Sequence, residues 1–593
     1  MHLYPGTDHQ QLYIRLDVKN LNDANAHGYN CVSYVWGTDI ATEAVNTNKG
    51  ELPITVNLLS CLRHLRHKEE TLVLWVDAIC INQNDLNEKS DQVALMGEIY
   101  SRCSTVYIWL GASLSPYSII CNPFRFIQHF ADNKHYSDVF KFLRTESGSI
   151  SFQADDDFTA LWESFLLIAK SPWWTRIWTI QEAFLPGNSA LCFGNWRSTF
   201  DTLIIARRNR LRHLFNGDQC CKEAPKVLPA SIKRTIDLFM GQIAWIERFR
   251  QAHLADNNPL STKGQPQVFP DYNHRPFYEV ALTFSYRLCS EPRDKIYSLL
   301  PLVKRSVIRS YKPDYTTAIA HSYIQAFKLM LEEMGNDYRC MIGPIFGSGK
   351  SGLPSWVPDF AEAIPVGIIE QILRRILLSS LFDPSNGENG YPRYQHPKRC
   401  FVTGVQADTV ISVSPNLESA YISPQRLKST LRQWRSLCET ALGTSKEDIV
   451  RIALSHVMCA SMTDDGVPLY GPNRGWRRTK ENDLPSQEEW QYFMDGNMWS
   501  LPEGYRETMH MASSGRSLYI TSRGRIGLCY LKVKSNDEVW ILIGSKLPFI
   551  LRKVSRNDSH LRTYHLVGDC FLEGVMDGEV VQATTKRYSI VII

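Results

Sequence analysis

The sequence predicts an α/β N-terminal domain, a parallel sheet flanked by helices, followed by a mainly helical middle region and a small C-terminal β unit. Three observations carry the first part of that expectation. The apolar runs "YNCVSYVWG" (29–37), "TLVLWV" (71–76) and "TVYIWLG" (105–111) read as strands covered on both faces. Between them, "TVNLLSCLRHLRH" repeats leucine at 59, 62 and 65, and a second segment repeats Val93, Met96, Tyr100 and Cys103, each marking one helical face. Strand, helix, strand, helix, strand implies right-handed crossovers and parallel pairing.

The remaining elements follow in order. Gly37 closes the first strand, and Asp85 with Glu88 three residues later forms a capping-box signature for the second helix. "DFTALWESFLLIAK" is helical, and so is "PWWTRIWTIQEAF" (172–184), which would place Trp174, Trp178 and Glu182 on one stripe at i, i+4 and i+8. "ALCFG" (190–194) reads as a short strand. Helical patterns then dominate to 382, broken by a polar, proline-containing loop at 256–273. "DPSNGENGYPRYQHPK" (383–398) reads as a linker. More helical segments follow, then a glycine- and proline-rich loop around "DDGVPLYGPNRGW", then short strands from "SLYITSRGRIGLCYLKVKSNDEVWILIG" onward. The expected boundaries are an α/β domain at 27–195, a helical region at 196–382, a linker at 383–400 and a mixed α/β region at 401–593 ending in the small β unit.

Lys and Arg total 65 against 61 Asp and Glu, without a dense basic run, which argues against a nucleic-acid partner. The N-terminus lacks a secretory pattern, and the most apolar stretch, "VGIIEQILRRILLSSLF", is interrupted by Glu370, Gln371, Arg374 and Arg375. A soluble, cytoplasmic protein without a membrane span is the expectation. The 15 cysteines are scattered in apolar runs without C-x-x-C spacing, so buried free thiols are expected and no metal site.

Ligands of open parallel sheets bind beyond the carboxyl ends of the strands. Three places meet that condition: Ser33 to Gly37, Asp77 followed by "AICINQ", and the segment carrying Glu182. Each has a structural reading beside the functional one. Tyr34, Trp36 and Trp75 would serve as core aromatics, Asp77 as a cap, Asn82 and Gln83 as loop ties, and Arg176 as an ion-pair partner. Arg293 with Asp294 reads as a pair that organises the fold. "GPIFGSGKSG" imitates a phosphate-binding loop, but the required glycine falls at Pro344 and no apolar strand precedes it. His64 and His67, near Cys61, have no carboxylate at metal-motif spacing.

"YNCVSYVWG", "LWVDAICINQNDLNEKSDQVALMGEIYSRCSTVYIWLG" and "PWWTRIWTIQEAFLPGNSALCFG" resemble, in order and spacing, the three blocks of the fungal heterokaryon-incompatibility (HET) domain. The resemblance covers about residues 27–195. "CSEPRDKIYSLLPL", "YKPDYTTAI", "LPSWVPDF" and "LVGDCFLEGVMDGE" are similar to segments that follow this domain in large family members. Cys31 and Val32 depart from the family's usual small residue and leucine, which should alter packing only. The lead-in before Tyr29 is short, so a strand or helix of longer relatives is expected to be absent or trimmed.

The resemblance implies an allorecognition effector, in which contact between incompatible alleles leads to programmed cell death. It also implies a fold similar to the Toll/interleukin-1 receptor (TIR) domain, several of whose members hydrolyse NAD. The TIR pattern of a tryptophan four residues before a catalytic glutamate falls on Trp178 and Glu182. By the same transfer Ser33, Tyr34, Trp36 and Gly37 would form the loop beside the nucleotide, and Asp77 would orient it. NAD would then be substrate rather than cofactor, and the activity an NAD+ nucleosidase. The partners implied are further copies of this chain or other incompatibility proteins. Two alternatives stand beside this one: a non-catalytic assembly module working through homotypic HET-domain contacts, and a regulator in which residues after 195 restrain the first domain. Indole burial would raise the Glu182 pKa and a nearby cation would lower it, with the balance open at this level.

Overall fold

The apolar runs do form strands, but the sheet they build is mixed rather than wholly parallel. A computed structural model of the protein describes residues 1–7, 10–23, 28–41, 43–112, 121–144, 150–216, 219–257, 276–308, 311–335, 337–343, 352–396, 398–417, 424–464, 475–530, 532–554 and 562–593. Its N-terminal strands are β1 (His2–Leu3), β2 (Tyr13–Arg15), β3 (Asn30–Ser33), β4 (Val45–Thr47), β5 (Gly50–Leu52), β6 (Leu72–Trp75) and β7 (Val106–Gly111). A separate hairpin, β8 (Lys141–Arg144) and β9 (Ile150–Gln153), precedes β10 (Ser189–Phe193) and β11 (Trp196–Ser198). The main sheet runs β11-β10-β7-β3-β6-β1-β2-β4-β5.

Its centre, β10-β7-β3-β6, is parallel, as the α/β alternation demands. Counted in chain order the four parallel strands lie 2-1-3-4, a doubly wound arrangement with a site beyond its carboxyl ends. β1 and β11 pair antiparallel on the two sides. These additions, and the β2 and β4 pairing, rest on strands of two or three residues, too short to leave a period-2 signal. The lead-in before Tyr29 supplies β1 and β2.

Successive residues of β3 point to opposite faces. Val32 joins Leu58, Leu62, Leu74 and Trp109 in the core under the helix Val56–Leu65. Cys31 and Ser33 face the other way, toward the helix Leu86–Arg102, whose Tyr100 donates its hydroxyl to Val32 O at 3.1 Å. Asp85 caps that helix through the backbone N–H of Asn87 and Glu88, but Glu88 accepts from Asn82 N and so does not close a capping box.

The chain divides into two compact units, Met1–Arg275 with Arg287–Thr316, and Pro276–Tyr286 with Thr317–Ile593. The first unit thus extends well past the expected boundary at 195, because residues 287–316 return to it. The expected linker at 383–398 is part of the second unit. Asp383 N donates to Met576 O at 2.9 Å, buried Ser385 donates to Ser545 O at 3.0 Å, and β12 (Arg393–His396) pairs with β13 (Arg399–Asn416). Polar turn residues there satisfy neighbouring backbone instead of spanning a gap.

The C-terminal β unit is larger than its sequence signal. Apart from the hairpin β14 (Met462–Asp464) and β15 (Trp476–Arg478), it contains β16 (Ser517–Thr521), β17 (Ile526–Cys529), β18 (Glu538–Leu542), β19 (Phe549–Lys553), β20 (Arg562–Asp569), β21 (Phe571–Leu572) and β22 (Tyr588–Ile592). β13 pairs with both β18 and β22, so β13-β18-β19-β20-β22 closes into a ring. Its second half leaves the ring to pair with β16. Closure removes the open edges of those strands. The loop-like 258–273 and the glycine-rich 344–351 and 465–474 lie outside the described residues. No helix among the described residues is long and apolar enough to cross a membrane.

Candidate functional site

The segment "PWWTRIWTIQEAF" is not one helix. Pro172–Thr175 makes a single 3-10 turn, Arg176 is extended at φ −77°, ψ 141°, and a helix resumes at Thr179–Phe184. The break is held by Leu288, whose N–H donates to Thr175 O at 2.6 Å and whose carbonyl accepts from Ile177 N at 2.9 Å. Trp174 is consequently not on a stripe with Glu182. Its indole is spent on Ile168 O at 2.7 Å, while the neighbouring Trp173 turns inward.

Trp173 Nε1 donates to Ser33 Oγ at 2.7 Å, and Ser33 Oγ donates in turn to Glu182 Oε2 at 2.5 Å. All three side chains are buried, Glu182 at 3% exposure. Burial pushes the Glu182 carboxyl up to about 7; the Arg176 guanidinium opposes the rise, Asp77 adds to it, and the Ser33 hydrogen bond pulls it back. The desolvation expected from the aromatic surroundings therefore outweighs the cation.

Beside this chain lies a hollow of about 250 Å³. Trp36, Asp77, Arg176, Trp178, Asp294 and Tyr315 are among the residues that line it, with Lys89, Cys289 and Glu291. Trp36 Nε1 donates to Asp77 Oδ2 at 2.8 Å, and the same carboxylate accepts from Ala78 N at 2.8 Å. Burial raises the Asp77 pKa against the pull of Arg176. Asp294, also in the lining, accepts from Trp178 Nε1 at 2.9 Å and from the Tyr315 hydroxyl at 2.6 Å. Burial lifts its carboxyl to about 6 despite those two hydrogen bonds. The Lys89 ammonium sits 4.5 Å from the centre of the Tyr315 ring.

The structure thus brings Trp36, Asp77 and Trp178 to one hollow, while Glu182 and Ser33 are not part of its lining. Arg176 and Asp77 connect the two, since both line the hollow and both act on the Glu182 carboxyl. Tyr34 belongs to the hydrophobic core and contributes its backbone carbonyl, which accepts from Arg176 Nη1. Gly37 does not line the hollow; at φ +74° it turns the chain after β3, a conformation costly for other residues. Asn57 fastens that turn by donating to Val35 O at 2.6 Å and accepting from Trp109 Nε1 at 2.9 Å.

Cys289, Glu291 and Asp294 of the lining come from a segment to which the sequence assigned only a role in the fold. Arg293 pairs with Glu291 at 2.9 Å, and Asp294 lines the hollow. The signal that could have found it is the run "CSEPRDKIYSLL", with buried-type apolar residues immediately after two acids and an arginine.

Comparison with known proteins adds a family. The description "Heterokaryon incompatibility protein (HET)" matches residues 29–182, and "Het-6 beta-barrel domain" matches residues 473–592. The chain is 23% identical, over 663 aligned positions, to "Heterokaryon incompatibility protein 6, OR allele" of Neurospora crassa, covering 94% of this chain and 91% of that protein. No solved structure matches. The first match ends at Glu182, and the second takes in most of the strands of the C-terminal ring.

Proposed function

As the chain is a heterokaryon-incompatibility (HET) domain protein, we propose that it is an effector of self/non-self recognition whose action leads to programmed cell death, and that its first unit hydrolyses NAD. The observation that carries the enzymatic reading is a buried carboxyl poised near neutrality, Glu182, electrostatically coupled to Arg176 and Asp77, which line a hollow together with two indoles.

The chemistry asks for little else. Cleavage of the C1′–N bond returns its electron pair to the pyridinium nitrogen and expels neutral nicotinamide, so no general acid is required. The ribosyl cation that remains resembles the oxocarbenium ion of glycoside hydrolysis. Ionised Glu182 stabilises that cation, and water captures it at C1′, losing one proton to give ADP-ribose. A carboxylate acts most strongly on developing charge where water is excluded. A hollow of about 250 Å³ admits the nicotinamide and ribose end of a dinucleotide, below the ~300–1,000 Å³ usual for a whole ligand. Trp36 and Trp178 offer aromatic faces to the ring, and Asp77 and Asp294 offer acceptors to ribose hydroxyls.

The test is nicotinamide release from NAD by the full chain and by Glu182→Gln. Release by the parent and its loss in the variant support the reading. Release that survives the substitution removes Glu182 from the mechanism.

One observation favours a second reading, a non-catalytic assembly module acting through homotypic HET-domain contacts. Glu182 is already satisfied by Ser33 and lies outside the lining of the hollow, as a purely structural carboxyl would. Concentration-dependent self-association without nicotinamide release would support it.

A further inference from the structure

A second cluster of reactive side chains lies in the first unit, away from Glu182. His135 Nδ1 is 3.3 Å from Cys221 Sγ, and His213 Nδ1 is 3.6 Å from the same sulfur. The three ligand atoms lie within 4.8 Å of one another. Cys221 and His213 are buried, and His135 is partly exposed. They come from three places: the residue before the turn Tyr136–Asp138, the helix Phe200–Asn216, and the helix Gln219–Val227. A separation of 86 residues between His135 and Cys221 is why no metal spacing appears in the sequence.

The supporting groups fix the protonation of one ring. Arg212 Nη2 lies 2.5 Å from Asn133 Oδ1. A guanidinium only donates, so the amide atom it meets is the oxygen. His213 Nε2 meets that same oxygen at 3.0 Å and must therefore donate to it. The His213 proton is then on Nε2, and the Nδ1 lone pair is turned toward Cys221. An imidazole held by its outer N–H, with its inner nitrogen bare, is the usual state of a metal ligand.

The backbone of the cluster is also fastened beforehand. Asn133 stands at φ +60°, and the carbonyls of Phe130 and Ala131 just before it accept from Asn209 Nδ2 at 2.9 and 3.0 Å. His135 is held at both backbone groups: its N–H donates to Asp138 at 2.8 Å, and its carbonyl lies 2.8 Å from His129 Nε2. Asn209 and Arg212 both belong to the helix that carries His213.

We propose that His135, His213 and Cys221 bind a divalent ion of the zinc class, through two Nδ1 atoms and one thiolate, with a fourth position left for water or an added ligand. The two sulfur–nitrogen distances are close to those the ion sets. A tetrahedral zinc about 2.3 Å from sulfur and about 2.0–2.1 Å from nitrogen sets the sulfur about 3.6 Å from each nitrogen, against the observed 3.3 and 3.6 Å. A neutral thiol carries one proton and can donate to only one of the two rings. A cation engages both rings and the sulfur together, and thiolate with imidazole selects zinc or a neighbouring late first-row metal over magnesium or calcium. Binding displaces the thiol proton to solvent, so uptake releases about one proton per ion.

The experiment uses the full chain, purified without a metal-affinity tag, stripped with a chelator and titrated with Co(II). One equivalent should bind with thiolate-to-cobalt charge-transfer absorption and proton release, and Zn(II) should displace it. Cys221→Ser should abolish the charge-transfer band, and His135→Ala, at the partly exposed rim, should weaken binding at least tenfold. Asn133→Ala should weaken it by roughly 10–100-fold, as loss of a ligand's supporting hydrogen bond does. A folded chain without the band at saturating Co(II), or a band that persists in Cys221→Ser, overturns the proposal. Should Cys221→Ser fail to fold, unchanged affinity in His135→Ala overturns it instead.

Discussion

Ser33 Oγ lies 2.5 Å from Glu182 Oε2, and the same hydroxyl accepts the Trp173 indole N–H at 2.7 Å. One small side chain at the end of a central strand therefore serves two larger buried groups. Ser33→Ala leaves the indole N–H without its acceptor and the carboxyl without its donor. The expected cost is about 1–3 kcal/mol, measured as a fall in the urea midpoint, with Trp173→Phe in the Ser33→Ala background recovering part of it.

Glu182 gives stability a pH dependence of definite sign. Unfolded, its carboxyl ionises near 4.5; folded, it ionises near 7. Between those values the folded chain holds a proton that the unfolded chain has released, so this group's contribution falls as pH rises from about 4.5 to about 7 and is level above. Glu182→Gln should be more stable than the parent at pH 8, by an amount on the order of 3 kcal/mol, and little different at pH 4. Urea unfolding of both proteins at the two pH values checks this; equal differences at both would contradict the burial argument.

Arg176 holds the Glu182 carboxyl down and Asp77 pushes it up. Arg176→Ala should move the midpoint of the pH dependence of nicotinamide release upward by roughly one unit or more. Asp77→Asn should move it downward. The pair of opposite shifts distinguishes electrostatic coupling from general damage to the hollow.

At Asp294 two donors, Trp178 Nε1 and the Tyr315 hydroxyl, converge on one carboxyl. Asp294→Ala strands both and should cost about 1–3 kcal/mol. Asp294→Asn keeps an acceptor and should recover most of it, as measured by thermal unfolding. Failure of the asparagine to rescue would mean that the charge, not the acceptor, matters there.

In the second unit, Asp569 is buried within 3.7 Å of Arg375 and 3.9 Å of Arg516, and it accepts from Gly343 N at 3.0 Å. Asp569→Ala leaves two buried guanidinium groups facing each other. A loss of about 3–5 kcal/mol is expected, read from denaturant unfolding.

The parallel centre of the first sheet is legible in the sequence because Val32, Leu74 and Ile108 stand in apolar runs covered on both faces, and the Leu59–Leu62–Leu65 repeat marks its covering helix. β1, β2, β4 and β11 are too short to carry periodicity. β13 eluded the reading for another reason: it changes partners along its length, so "RCFVTGVQADTVISVSPN" buries side chains irregularly instead of alternating. At the site, Ser33, Trp36, Asp77 and Glu182 are visible as polar or aromatic residues at strand ends. Trp173 is not, because a regular helix would have put Trp174 in its place, and the interruption at Arg176 is imposed by Leu288 from 112 positions later in the sequence.

That distant strut has a genetic corollary. The chain quits the first unit at Arg275, comes back at Arg287 and departs at Thr316. A single scission, whether by a protease or by recombination between alleles, either amputates the Asp294 wall or carries off the Phe277–Thr283 helix that belongs to the second unit. Three breakpoints, after Arg275, Tyr286 and Thr316, are needed to exchange one unit cleanly, so the two should be inherited and diversify as one block.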